Sequence, residues 1–419
     1  MPPIKLIVAG AGGRGTGYAG YATHFPEQVR IVGVAEPREF YRERMAKTHA
    51  IPAKDCFSDW KELVRRRKFA DAVIVATQDA MHAEPAVAFA RKGYHILLEK
   101  PMAPNEKDCR RIVAAAKRAG VIFAVCHVMR YTSNTQKVKS IVDSGRLGEV
   151  VSLQHVEPVG FWHQAHSFVR GNWRNETMSS PMLLAKSCHD LDWISYMMGG
   201  VKCEKISSFG NLHHFKKDQK PVGAGAALRC LDCACEPECP YSAKKIYLGR
   251  FAKGQTGWPV NVLVEEVTEE NLIRALREGP YGRCVYECDN DVVDHQVVNM
   301  EFADGRTACF TMTAFSAVIG RYTRLFGTRG MLATGGPPGI EVTDFLTGKT
   351  ETLPYDVPDQ SILSGHGGGD FGLMKSFVEA VASNDPGKIL SGPDTSLETH
   401  RMVFAAEKSR RTGRVVVCR

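Results

Sequence analysis

Five short apolar runs interleaved with stretches of helical period constrain this chain more than any other feature of it. Ile4 to Ala9, Val29 to Ala35, Ala72 to Ala76, His95 to Leu98 and Val121 to Cys126 read as strands, with helices near 14–24, 38–48, 58–67, 81–92 and 104–119. Such βαβ units bury their hydrophobic faces by forming a parallel sheet covered on both sides. After Gly148 the pattern changes to longer alternating runs, Val150 to Val156, Val292 to Phe302, Thr307 to Phe315 and Arg321 to Phe326, with turn dipeptides such as Asp304-Gly305. Alternation without a helix after each strand predicts an open, mostly antiparallel sheet. The expected fold class is therefore α/β: an N-terminal doubly wound (Rossmann) parallel sheet over 1–128, then an α/β domain with a mostly antiparallel open sheet over 129–419.

Composition narrows the function classes. With 419 residues, 44% of them hydrophobic, the chain can bury a large core. The net charge of +8 is spread out, and its one cluster, Arg65-Arg66-Arg67-Lys68, reads as a solvated helix end. Nucleic acid is not an expected partner. No stretch approaches the ~18 apolar residues of a membrane span, and Met1-Pro2-Pro3 leads straight into a strand pattern without a signal-peptide core. Thirteen dispersed cysteines fit reduced thiols, and a cytoplasmic location without membrane association is expected.

Gly10-Ala11-Gly12-Gly13-Arg14-Gly15 follows the first strand and opens a helix, where a G-x-G-x-x-G loop can do physical work. Gly10 permits a tight turn, Gly12 lets backbone approach a pyrophosphate, and Gly15 lets helix pack on strand, with Gly13 a further candidate at the cofactor. The free N–H groups and the dipole of the helix start favour an anion there, and Arg14 is a candidate cofactor contact. Glu36 ends the second strand, about 20 residues on, where a carboxylate grips ribose hydroxyls. A carboxylate repels a 2′-phosphate, so NAD is favoured over NADP, although Arg38 could salt-bridge that phosphate or stack on adenine.

Ligands of open parallel sheets bind beyond the carboxyl ends of the strands. Glu99-Lys100-Pro101 lies at such an end, which makes Lys100 a candidate for chemistry. Thr77, Gln78 and His82 follow another strand end, beside the expected nicotinamide half of a cofactor; the bland alternatives are a cap by Thr77 or Asp79 and a surface His82.

These residues, with Val34-Ala35-Glu36-Pro37, Arg130, Gly145-Arg146-Leu147-Gly148 and Cys188-His189-Asp190-Leu191-Asp192, resemble the glucose-fructose oxidoreductase and inositol dehydrogenase (Gfo/Idh/MocA) family. The resemblance implies a dinucleotide-binding domain with Glu99, Lys100 and Arg130 at the cofactor, and a second domain forming the substrate cleft and often an oligomer surface. It also implies a histidine near the Glu-Lys-Pro lysine, which His189 matches. The family's carboxylate four residues before that histidine is replaced here by Ala185, with Lys186 beside it. Oxidising an alcohol requires a base for the hydroxyl proton. His189 suits that role, Lys100 could act as base or as hydrogen-bond donor, Lys186 projects from the same face of a helix expected over Met182 to Met198, and Asp192 is better placed than Asp190 to orient His189.

The loop before that helix carries Trp162, His163, His166, Arg170, Trp173 and Arg174. Aromatic faces pack on sugar C–H surfaces while Arg and His bond hydroxyls, so Trp162, His166, Arg170 and Trp173 are candidate substrate contacts; a plug at the domain junction is the alternative. In Gly365-His366-Gly367-Gly368-Gly369-Asp370, His366 is a candidate substrate ligand and Asp370 a helix cap. A segment of about 212–265, rich in Gly, Pro and Lys, looks like an insertion and carries Cys230, Cys233, Cys235 and Cys239. These thiols could hold a structural zinc, with His213 or His214 standing in for one of them, or an iron–sulfur cluster, or be free.

The sequence reading is an NAD-dependent oxidoreductase moving hydride between nicotinamide and a secondary hydroxyl of a sugar, polyol or glycoside, as a homodimer or homotetramer. An NAD-dependent glycoside hydrolase using transient oxidation is the enzymatic alternative. A non-catalytic nucleotide-binding regulatory protein is the alternative of another class.

Overall fold

The computed structural model describes residues 2–317, 319–336, 339–356 and 366–418, so Gly365 lies outside the described residues. Strands β1 (Ile4–Ala9), β2 (Val29–Ala35), β3 (Cys56–Phe57), β4 (Ala72–Val75), β5 (His95–Leu98) and β6 (Phe123–Val125) form a parallel sheet in the order β3-β2-β1-β4-β5-β6. Helices α1 (Gly13–His24), α2 (Glu39–His49), α3 (Trp60–Arg65), α4 (Ala83–Arg91) and α5 (Glu106–Ala119) connect them. Strand residues alternate between two cores: Leu6, Val8, Ile74 and Leu97 face one, Ile7, Val73, Val75, Ile96 and Leu98 the other. Burial on both faces is why these strands read as continuous apolar runs. The two-residue β3 is too short to show a period and was not expected.

Among the described residues the second sheet has nine strands: β7 (Val150–Pro158), β8 (Cys203–Asn211), β9 (His295–Phe302), β10 (Thr307–Thr313), β11 (Tyr322–Gly327), β12 (Gly330–Thr334), β13 (Gly339–Asp344), β14 (Thr350–Pro354) and β15 (Val416–Val417). Their order is β14-β13-β12-β11-β7-β10-β9-β8-β15, antiparallel except where β7 meets β10. The Asp304-Gly305 turn joins β9 to β10, with Gly305 at φ +85. Val298, Met300, Phe310 and Met312 face the core beneath helices Cys188–Met197 and Pro393–Thr412, while Val151, Phe209 and Tyr322 lie on the surface.

Three local features differ from expectation. The Met182 to Met198 helix breaks at Lys186-Ser187 into Met182–Ala185 and Cys188–Met197, and both pieces are almost wholly buried. The segment between β8 and β9 wraps short turns and helix Glu269–Glu278 around a small core of Phe215, Tyr241, Tyr247 and Tyr286. Helix Gly369–Ser383 returns to the first sheet, packing Leu373, Met374 and Phe377 against Tyr18 and Val128. That return carries Asp370 to the glycine-rich loop. No helix among the described residues is long and apolar enough to cross a membrane.

Candidate active site

The glycine-rich loop leaves β1 beside β4, where the strand order of the first sheet reverses. A Cβ on Gly10 (φ +96) would sit 2.4 Å from the Ala76 carbonyl oxygen, and one on Gly15 would sit 1.9 Å from the Gly10 oxygen. Those two glycines are dictated by the protein itself. Gly13 has nothing within 4 Å, and Gly12 meets only the Arg38 side chain at 3.4 Å. Their smallness answers to no protein packing and leaves a cradle for a pyrophosphate. Glu36 Oε2 accepts the Ala11 N–H at 2.8 Å, and Glu36 Oε1 accepts Arg38 Nε at 2.7 Å. Burial opposes the charge, but the Arg38 bonds hold the Glu36 carboxyl below its ordinary pKa. Arg38 lies over Tyr41 at 4.0 Å. Thr77 Oγ1 is buried with no hydrogen-bond partner among the described residues, and Gln78 is exposed on the same loop. Both features fit a dinucleotide.

Arg14 is the hub linking this cradle to the rest of the site. Its Nε donates to Glu99 Oε1 at 2.5 Å, and its terminal nitrogens donate to Asp370 at 2.7 and 3.0 Å and to the Tyr18 hydroxyl. Glu99 also accepts the Lys100 N–H; burial opposes its charge, yet Arg14 and Lys100 hold its pKa below the ordinary value. Asp370 is therefore an ion-pair partner and not the helix cap, which is Gly368. His366 Nδ1 lies 3.2 Å from Asp370, on the exposed side of the network. His82 is buried and not a surface residue, its ring nitrogens 2.8 Å from the Pro101 oxygen and 3.1 Å from the Thr77 oxygen, so it ties the two loops together.

Lys100 Nζ donates to the Ala185 carbonyl at 2.7 Å. At position 185, where the resemblance implies a carboxylate, the main-chain oxygen takes the ammonium. Lys186 pairs with Glu157 at 2.9 Å, and Arg321 with Glu157 at 3.0 Å and Asp190 at 2.5 Å. Glu157 and Arg321 were missed in the sequence; the signal was a lone acidic residue near the end of β7, whose partners come from distant segments. His189 is buried between Lys100, His127 and His366, and its Nδ1 has no partner among the described residues. Burial, reinforced by Lys100, pushes its pKa well below the ordinary histidine value.

Several expected contacts are spent elsewhere. Asp192 makes no direct bond to His189: it forms a bidentate pair with Arg130 at 2.6 and 2.7 Å and accepts from Thr399. Arg130, expected at the cofactor, is buried in that pair, with its remaining nitrogen on the Leu390 oxygen. Asp190 holds His155 and Arg321. Arg170 is fully buried under the β8–β9 segment, donating to the Arg283 and Tyr241 oxygens, and His166 is enclosed beside Tyr247 and Tyr281. Neither presents a face to a substrate. Trp173 gives its indole N–H to Asp79, which also accepts from Ser179 and so does not cap a helix. Trp162 keeps a partly exposed ring against Trp258 and Arg250.

The cysteine cluster does not form a metal centre. Among the described residues no three His, Cys, Asp or Glu side chains converge as ligands, and Cys230, Cys233, Cys235 and Cys239 are free thiols. Cys230 accepts from buried Arg170, while Cys235 lies against Gly223.

Residues 4–127 match the profile described as an oxidoreductase family, NAD-binding Rossmann fold, and residues 139–418 its C-terminal alpha/beta domain. The chain belongs to the Gfo/Idh/MocA oxidoreductase family. Within that family it is similar to the 2,7-anhydro-N-acetylneuraminate hydratases of Escherichia coli, 32% identical over 147 residues, and Mediterraneibacter gnavus, 29% identical over 205. These alignments span 35% and 48% of this chain and 38% and 52% of the relatives' own lengths. Among solved structures, a levoglucosan dehydrogenase in complex with NADH and L-sorbose superposes with a TM-score of 0.73 over 100% of both chains at 16% identity.

Proposed function

We propose that this chain is an NAD-dependent oxidoreductase transferring hydride between nicotinamide and a secondary hydroxyl of a sugar, polyol or glycoside. The observation that carries the reading is the placement of Lys100 and His189 together, with Lys100 joined through Glu99 and Arg14 to the glycine-rich loop. Gly10, Gly12, Gly13, Gly15, Arg14 and Glu36 would hold the cofactor, which supplies a hydride acceptor at its nicotinamide ring. Lys100, fixed by the Ala185 carbonyl, donates a hydrogen bond to the substrate oxygen and stabilises charge developing there. His189, neutral through burial, takes the hydroxyl proton. Lys186, Glu157 and Arg321 offer paired donors and acceptors to neighbouring hydroxyls, and Trp162 with His366 borders the opening.

Glu36 favours NAD over NADP, because Arg38 is already bound to it and a 2′-phosphate would meet the carboxylate. Relatives named for anhydro-sugar and inositol chemistry support the substrate class. The exposed residues of the nine-stranded sheet support a homodimer or homotetramer, which sedimentation would test. Free thiols throughout the described chain support a cytoplasmic location.

The test is a screen of levoglucosan, myo-inositol, D-glucose and p-nitrophenyl glycosides with NAD, following NADH and released nitrophenol together. NADH formation is expected. Nitrophenol release without net NADH would instead identify a hydrolase that returns its hydride, and silence with every compound would overturn the reading.

A further inference from the structure

His127, two residues beyond β6, is fully buried, and no group among the described residues hydrogen-bonds either of its ring nitrogens. Its ring meets His189 edge to face with centroids 5.9 Å apart, and its Nε2 lies 3.8 Å from Asp192 Oδ1. His189 in turn has its buried Nδ1 without a partner. Two neighbouring imidazoles thus keep three buried nitrogens uncommitted, where buried polar atoms are ordinarily paired. Beyond His127 stands His400, with centroids 5.6 Å apart, but both of its nitrogens are used: Nε2 accepts the Met102 N–H and Nδ1 meets the Ser396 oxygen. His400 is therefore not available to receive a proton.

From this arrangement we infer that His127 is a positioning residue that links His189 to Asp192 and does the work of the carboxylate missing at position 185. The inference rests on the oxidoreductase reading above. As hydride leaves the substrate carbon, the O–H bond breaks and its proton goes to Nε2 of His189. Nδ1 of His189 then yields its own proton to His127, and the imidazolium so formed lies beside the Asp192 carboxylate. Arg130 and Thr399 fix that carboxylate in place. In the reverse direction the same protons return. The charged groups facing His127 are Asp192, Arg130, Lys100 and Glu99; those facing His189 are Lys100, Arg321 and the imidazoles of His127 and His366. Asp192 is the carboxylate that favours a proton on this pair, and it reaches His189 through His127.

The test uses the full chain with NAD and whichever of the four screened compounds turns over fastest. In His127→Phe and His127→Gln, kcat is expected to fall at least about tenfold, within the range of general-base losses, with KM for both substrates within about threefold. The acid limb of the pH profile should move as well, because His189 loses the imidazole that faces it. A folded variant with unchanged kcat and an unchanged pH profile would overturn the relay. Should neither variant fold, a wild-type proton inventory decides: a curve for two protons in flight supports the relay, and a straight line for one overturns it. Wild-type protein silent with every compound would overturn the functional reading instead.

Discussion

Lys100 was legible from its place at a strand end, yet what holds its ammonium was not. The Ala185 carbonyl that accepts it belongs to a residue with no polar side chain, so residue type gave no signal. Lys100→Met should lower kcat/KM by about 10²- to 10⁴-fold while NAD binding and thermal midpoint change little; activity within threefold of wild type would remove Lys100 from the chemistry. Glu36 is the second test at this scale. Glu36→Ala should raise KM for NAD at least about tenfold, near 1.4 kcal/mol, and lower KM for NADP, because Arg38 is released to meet a 2′-phosphate. An unchanged NAD/NADP ratio in initial-rate kinetics would contradict it. Arg130 and Asp192 teach the opposite lesson: both have the residue types of a site, and they satisfy each other in the interior.

At the scale of elements, the glycine-rich loop separates two kinds of glycine that look alike in sequence. Gly15→Ala forces a methyl into the Gly10 carbonyl and should cost about 1–3 kcal/mol or more of unfolding free energy, read from urea denaturation. Gly13→Ala meets nothing in the protein and should leave stability within about 0.5 kcal/mol while weakening NAD binding. Equal stability losses in the two variants would refute the division. The strand–helix alternation of the first sheet was readable because each strand is buried on both faces. The break at Lys186-Ser187 was not, since Met182 to Met198 is buried nearly all round and carries no periodic signal that a kink could interrupt.

Across the whole molecule, buried histidines set the response to acid. Burial pushes His400 and His166 down to about 3, against about 6.5 in an unfolded chain. The native imidazoles stay neutral while the unfolded chain binds protons, so this stability is complete above about pH 6.5 and is lost as pH falls toward 3. Each group contributes about 1.4 kcal/mol per pH unit inside that window. The carboxyls of Asp190, Asp192 and Glu99 are held low despite burial, by Arg321, Arg130 and Arg14, and add a further loss only below about pH 4. These two groups alone should lower the urea unfolding free energy by about 2–3 kcal/mol between pH 6 and 5, and His189, His163 and His127, also pushed down by burial, add to that loss; a flat profile over that unit would refute the assignment.

The sequence by itself determined the parallel sheet, the glycine-rich loop with Glu36, the lysine at a strand end and the open second sheet, because each follows from periodicity or from a backbone requirement within a short window. Only the tertiary structure decided which polar residues meet one another. Asp370 reaches Arg14, Glu157 reaches Lys186, and His127 stands between His189 and Asp192 through contacts between segments far apart in the chain. Charge pairing is settled by whichever partner lies within a few ångströms, and spacing along the sequence does not carry that distance.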